Sequence, residues 1–458
     1  MLKRKKVVKI TLIMLLLLLS SACNKADHKL KMLSSQGQGE VKVVSSSEEK
    51  YQVGTEVVLN AQADEGWKFE SWGGSIEGDT NPKTVVIEED LQVKANFVQT
   101  RAMAGGGLDN KGVYHSQNIA KGVDLLWTSQ QDYQISSSPL VVDNTLYLGT
   151  KKQKLVALNS QTGEQKWEFD AQARIISTPA VEQDKVYFGT AVQGAEEGNF
   201  YALDAESGQK LWQLKIPGGI YYSAPKIEDE VLYFGDKKGN LYAVQAKTGE
   251  ELWKFEAASS IMYSSPAVSE ETIIVGTVDG ELYAINKEDG KQKWRSKMEH
   301  PIVSQPVLKD NRIYYVSYRQ NTGLLSAVDK ETGSQEWEVQ FDGPSPYSIA
   351  LEGNSAYVGT LAGKLYAIDL SNQEKEWSFT TGGEVIAAPI LTEDIVYVGD
   401  TEGSLYGIKR QSGEKEWVFE GEDTIVSAPV ISQQRLYFSD QTGTLYALKQ
   451  LSAEKEAK

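Results

Sequence analysis

Three histidines and one cysteine are the side chains of this 458-residue chain most suited to chemistry, and neither type forms a constellation. His28, His115 and His300 stand far apart, and no two of them hold metal-ligand spacing. No Gly-x-Ser-x-Gly elbow offers an activated serine. The 63 acidic residues fall mostly in turns, where solvated surface is the default, and no carboxylate pair is singled out by spacing. No catalytic residue and no metal site is expected. What remains is Cys23, a single thiol behind an export-like leader. Lys3, Arg4, Lys5, Lys6 and Lys9 form a basic region, and Ile10 to Leu19 is an apolar run too short to span a membrane as a helix.

Leu19-Ser20-Ser21-Ala22-Cys23 resembles a bacterial lipobox, with Ser20 standing where leucine is usual. The resemblance implies a signal peptide over 1–22, lipid on Cys23, and an exported protein anchored at a membrane surface, the outer membrane in a Gram-negative cell, on its periplasmic or surface face. Two or more acyl chains hold a protein stably at about 0.8 kcal/mol per buried CH2. Loss of 1–22 removes five basic residues and leaves 42 against 63 acidic ones, a net charge of −21. Such a surface repels phosphate backbones, so nucleic acid is an unfavourable partner.

The elements that would position a site follow. Residues 23–39 read as a polar tether. Over 40–98, alternation in VKVV, EVVLNAQA and LQVKANFV gives the period of half-buried strands. Tyr51, Gly54, Trp67, Phe69, Trp72, Gly74, Asn81, Pro82 and Phe97 resemble the internalin B-repeat of bacterial envelope proteins, which implies a small all-β spacer or adhesion module. Residues 99–122 are glycine-rich and read as a linker, and 451–458 as a charged tail. Between them, 123–450 is a repeat. Tryptophans at Trp127, Trp167, Trp212, Trp253, Trp294, Trp337, Trp377 and Trp417 are spaced by 40 to 45 residues, the period of four short strands.

Each unit opens on a small-residue-Pro strand, with Pro139, Pro179, Pro225, Pro266, Pro306, Pro389 and Pro429 twelve or thirteen residues after a tryptophan. ALNSQTGEQKW, ALDAESGQKLW and AVDKETGSQEW resemble the PQQ-like repeat, which implies a β-propeller. The first tryptophan strand has no companions before it, and the last three strands have no tryptophan after them. The half-units complete one another if the chain closes. The expected fold is all-β: an eight-bladed β-propeller of four-stranded blades, closed by the N-terminal Trp strand and preceded by a small all-β domain. A closed ring leaves no edge for self-pairing, so a monomer is expected.

Alternating strand directions put the blade-to-blade loops and the second hairpins on one face, here called the top. Both irregular insertions, Val192 to Asn199 and Ser317 to Gly323, fall there. Tyr221, Tyr222, Met262, Tyr263 and Tyr347 also cluster there, and Arg319 sits in the second insertion, so these six are the candidate binding residues. Ser137, Ser177, Ser223, Ser264, Ser304 and Ser427 recur two places before the proline, as small residues where inner strands crowd or as hydroxyls ringing the channel mouth.

The repeat family includes quinoprotein dehydrogenases, in which a quinone stacks between a tryptophan and an adjacent-cysteine disulfide. Here the blade tryptophans serve as repeat residues and the one cysteine lies at position 23, so no cofactor is expected. The leader, blade number and lack of cofactor residues are similar to BamB-type lipoproteins, whose family scaffolds outer-membrane β-barrel assembly. That implies a non-enzymatic, membrane-tethered interaction platform with envelope protein partners. The alternative is a surface module binding glycan or peptide.

Overall fold

The computed structural model describes residues 27–33, 35, 39–44, 50–63, 67–99, 101–107, 109–114, 119, 122–131, 134–192, 194 and 197–451. Cys23 and the leader, His115, parts of the first insertion and the tail from 452 lie outside the described residues. No helix among the described residues is long and apolar enough to cross a membrane.

Two small sheets form the N-terminal domain. One runs Lys50–Gln52, Asp27–Met32, Leu91–Gln99, Trp67–Gly74; the other Gly39–Val43, Thr55–Ala63, Lys83–Ile87. They enclose Tyr51, Val57, Leu59, Trp72, Ile87, Val93 and Phe97. Asn81 imitates a strand partner, donating to the Ala61 carbonyl at 2.7 Å and accepting from its N–H at 2.9 Å. The expected tether is corrected in part here. Asp27–Met32 is a strand, paired in parallel with Leu91–Val93, because Leu30 and Met32 alternate onto the core while Lys29 and Lys31 face water.

Among the described residues eight antiparallel sheets follow, the blades of a propeller, seven of them four-stranded and the second with a fifth strand. The first comprises Leu140–Val142, Thr145–Gly149, Lys154–Asn159 and Gln165–Asp170. The eighth takes three strands from the C-terminus, Val430–Ser432, Arg435–Ser439 and Thr444–Gln450, and its outer strand, Val123–Gln130, from the other end of the repeat region. Its pairing sets Ala447 opposite Trp127 and slips by one residue between Ala447 and Leu448. The same bulge lies between Ala157 and Leu158 and between Ala243 and Val244. The closing strand therefore repeats the register of the internal ones. Leu146, Leu148 and Val156 of the first blade share a core with Tyr437 and Leu445 of the last, which seals the ring.

The repeated tryptophans are wedges between blades. Trp212 Nε1 donates to the Ala246 carbonyl of the next blade at 2.9 Å, and Trp253 reaches Lys287 at 3.1 Å. The rings of Trp127, Trp167, Trp212, Trp253, Trp294 and Trp377 each lie over the glycine of the next blade's turn: a Cβ on Gly249 would stand 2.8 Å from the Trp212 ring, at a φ of 77°. This contact explains why the turn glycine and the tryptophan recur together.

The glycine-rich segment is not a loose linker. Arg101–Ala102 adds a fifth strand to the second blade, against Val181–Glu182. The chain then crosses the central channel as a strap bonded to the inner strands of successive blades. Asp109 accepts from Leu308 N–H at 2.9 Å, Lys111 from Leu351 at 2.8 Å, and Gly112 from Leu391 at 3.0 Å. Asn110 donates to the Pro306 and Pro266 carbonyls at 2.9 and 3.2 Å. Ile119 then accepts from Trp417 Nε1 at 3.0 Å, where other blades supply a turn carbonyl. The inner strands would otherwise show bare edges to the channel, and the strap satisfies them. Its glycines permit the path: Gly106 sits at φ 78°, and a Cβ there would lie 2.7 Å from the Val113 carbonyl oxygen.

Candidate functional site: a tyrosine-rimmed well

Beside the strap lies a well of about 620 Å3, lined by strap residues and by the segments that enter the inner strands from the top face. Ala104, Gly105, Gly112 and Tyr114 form its floor. Its walls are the segments that lead into the inner strands, including Pro139, Ile176, Val303, Pro346, Ile386, Pro389 and Pro429.

Those segments are held by the recurring serines. Ser137 Oγ accepts from Gly149 N–H at 2.8 Å, Ser223 from Gly235 at 3.0 Å, Ser264 from Gly276 at 2.9 Å, and Ser427 from Ser439 at 2.8 Å. Each bond spans twelve residues, from the entry segment back to the end of the second strand. These hydroxyls point into the blades, so they latch the entry loops rather than ring the mouth. Neighbouring hydroxyls join blades: Ser265 Oγ accepts from Ala224 N–H at 3.0 Å, and Ser138 Oγ from Ala428 N–H at 3.1 Å.

Four tyrosines stand at the rim: Tyr222, Tyr263, Tyr318 and Tyr347, each 38 to 49% exposed. They are the only exposed tyrosines among the described residues, and all four line this one well. Tyr222 and Tyr263 stack, with ring centroids 5.1 Å apart. Their blades are tied by Tyr222 N–H donating to the Met262 carbonyl at 3.0 Å. Burial first, then the neighbouring phenols of Tyr222 and Tyr318, hold the Tyr263 hydroxyl above its ordinary range. Burial and the phenol of Tyr222 do the same at Tyr347, with Glu384 and Tyr263 adding to it. Tyr222 and Tyr318 thus act on Tyr263, and Tyr222 and Tyr263 on Tyr347.

Of the candidate residues named from sequence, Tyr222, Tyr263 and Tyr347 line the well, whereas Tyr221, Met262 and Arg319 do not. Tyr221 turns aside, its hydroxyl 3.5 Å from the Val192 carbonyl and its ring 5.5 Å from the Lys237 ammonium. Met262 is half-buried, and Arg319 is exposed on the second insertion. Tyr318 was missed, although it adjoins Arg319 at the end of the strand Arg312–Arg319. The strand is buried without a break from Ile313 to Ser317 and emerges at Tyr318, inside the insertion Ser317 to Gly323, and that insertion is the signal that could have found it.

No group of three or more His, Cys, Asp or Glu side chains capable of holding a metal occurs among the described residues. Buried Asp236, Asp400 and Asp440 are structural: each binds the hydroxyl of a tyrosine six residues on, at 3.0 Å. Lys226 is fully buried beneath the strap, its ammonium donating to the Ala104 and Gly107 carbonyls. Burial pushes it down to about 7, opposed by the Asp109 carboxylate. Among the described residues no tryptophan, cysteine or carboxylate lines the well.

A family model described as outer membrane protein assembly factor BamB, of the PQQ-repeat type, matches residues 119–260, 237–349 and 321–456. A second, the divergent InlB B-repeat domain, matches 32–101. Among curated relatives, the outer membrane protein assembly factor BamB of Yersinia pestis is 27% identical over 154 residues, 31% of this chain and 38% of that protein. That of Moranella endobia is 29% identical over 103 residues, 22% and 26% of the two chains. The matched stretches thus span well under half of these relatives. Among solved structures, BamB from Moraxella catarrhalis superposes with a TM-score of 0.60 at 17% identity, over 72% of this chain and all of that one. A quinohemoprotein alcohol dehydrogenase from Pseudomonas putida gives 0.64 at 15% identity, over 76% and 80%. At these identities the superpositions establish the propeller fold alone.

Proposed function

We propose, from the premise that this chain belongs to the outer membrane protein assembly factor BamB family of PQQ-type repeat propellers, that it is a non-enzymatic docking scaffold of the cell envelope. In this reading it serves outer-membrane protein assembly and binds no quinone. The observation that carries the docking role is the convergence of all four exposed tyrosines on one uncharged well. Aromatic side chains with a polar tip dominate protein recognition surfaces, since they bury large area at small entropic cost. Among the described residues the well is lined by no histidine, cysteine, lysine or carboxylate.

Cys23 is proposed as the lipid-bearing residue, on the strength of the leader that precedes it. The small domain supports a spacing role. Its last strand ends at Gln99, and Arg101 pairs with Glu182 beside the first hairpin of its blade. The chain therefore enters the channel from the face opposite the tyrosines.

Two experiments test the reading. Removing the gene from its host is expected to lower the amount of folded β-barrel protein in the outer membrane, and unchanged barrel levels would reject the assembly role. Metabolic labelling with an alkynyl fatty acid is expected to mark the wild-type chain and not Cys23→Ala; equal labelling would reject the anchor.

A further inference from the structure

The well is chemically narrower than a general docking face. Among the described residues none that lines it carries a charge, in a chain with 47 basic and 63 acidic residues. A charged side chain entering it would lose its hydration and meet no counter-ion. The walls are prolines, alanines, isoleucines and valines, which receive apolar groups. Most of the wall serines are spent: Ser136 donates to Ile175, Ser137 and Ser304 hold Gly149 and Val316, and Ser138 and Ser265 hold Ala428 and Ala224. A saccharide, which must exchange a hydrogen bond for each hydroxyl taken from water, finds few partners there. A peptide needs fewer, and the rim phenols are placed to provide them.

The channel itself shows what it accommodates. Arg101–Ala102 pairs as a short strand with Val181–Glu182, and beyond the 3-10 turn Ala104–Gly106 the carbonyls of Asp109, Lys111 and Gly112 accept main-chain bonds from Leu308, Leu351 and Leu391, so the inner strands already receive polypeptide backbone here. The volume of about 620 Å3 lies within the roughly 300–1,000 Å3 of specific ligand pockets.

We infer that the well receives an uncharged, extended polypeptide segment of a partner, its aromatic or aliphatic side chains entering between the prolines and its backbone meeting the hydroxyls of Tyr222, Tyr263, Tyr318 and Tyr347. The inference rests on the docking role proposed above and narrows it to one ligand class.

The test uses the purified full chain and fluorescence anisotropy. The probe is a dye-labelled, end-blocked decapeptide alternating tyrosine or valine with serine and threonine. Matched probes carry two lysines or two glutamates at central apolar positions, and a neutral glucose heptamer serves as competitor. The expected result is saturable binding of the uncharged peptide, weakened about tenfold or more by Tyr222→Ala combined with Tyr347→Ala and little changed by Lys247→Ala on the opposite turns. Both charged probes are expected to bind at least about tenfold more weakly, because nothing in the well pairs with them. Both tyrosines are exposed, and near-ultraviolet circular dichroism checks that the double variant keeps its fold. No binding, binding indifferent to the rim variant, equal binding of the charged probes, or displacement by the glucose heptamer would each overturn the inference. A partner adduct trapped at Tyr222 in cells, alongside any of these results, would leave the docking role standing and remove the peptide assignment alone.

Discussion

Lys226 gives the sharpest energetic prediction, because the strap buries it completely. Its surroundings bring its pKa down to about 7 from an ordinary 10.5, chiefly through burial. The sign follows from proton counts. Between those two values the unfolded chain holds the proton and the folded chain does not, so stability rises with pH through that window. Below about 7 both states are protonated and the full cost of the buried ammonium remains. From pH 6.5 to 8.5 the difference integrates to about 1.4 units, or about 2 kcal/mol. Lys226→Met removes the titration and leaves two strap carbonyls without their donor. Urea unfolding of wild type and variant, followed by tryptophan fluorescence at both pH values, isolates the effect, since other groups cancel in the difference. Wild type should gain about 2 kcal/mol relative to Lys226→Met on going from pH 6.5 to 8.5. A difference that stays flat, or falls with pH, would refute the burial argument and with it the strap's placement over this side chain.

The remaining predictions address the ring and its latches. Gly249→Ala should destabilise by more than the roughly 1–2 kcal/mol of a left-handed alanine, because its Cβ meets Trp212, whereas Gly353→Ala, at φ 57° with nothing within 4 Å, should cost only that backbone term. Thermal unfolding of the pair compares them directly. Ser264→Ala leaves the Gly276 N–H buried without an acceptor and should cost about 1–3 kcal/mol by urea titration. Trp127→Ala should cost about 3–5 kcal/mol and raise hydrogen exchange first along Thr444–Gln450, the strand that Trp127 closes upon.

Much of this fold was legible because its devices are written locally. The tryptophan strands repeat with their turn glycines because ring and glycine touch between blades, and the unpaired half-units at the two ends announced the closure that Ala447 and Trp127 make. The strap was not legible. Gly105, Gly106 and Gly112 read as flexibility, yet Gly112 is tied to the Gly105 carbonyl and to Leu391, and Lys111 to Leu351, more than two hundred residues away, which no local pattern encodes. Asp27–Met32 was passed over for a similar reason, since its partner Leu91–Val93 lies sixty residues on. At the well, the tyrosines beside the serine-proline entries were visible as a cluster. Tyr318 was hidden inside an insertion, and the serine hydroxyls were read without the backbone amides that claim them.

The central claim is that the top face docks a partner, and in-cell photo-crosslinking tests it most directly. A photoreactive residue replaces Tyr222 on the rim of the well or, as control, Lys247 on an exposed turn of the opposite face. The account predicts a discrete membrane-protein adduct from position 222 and none from 247. Equal adducts from both positions, or none from 222, would contradict it.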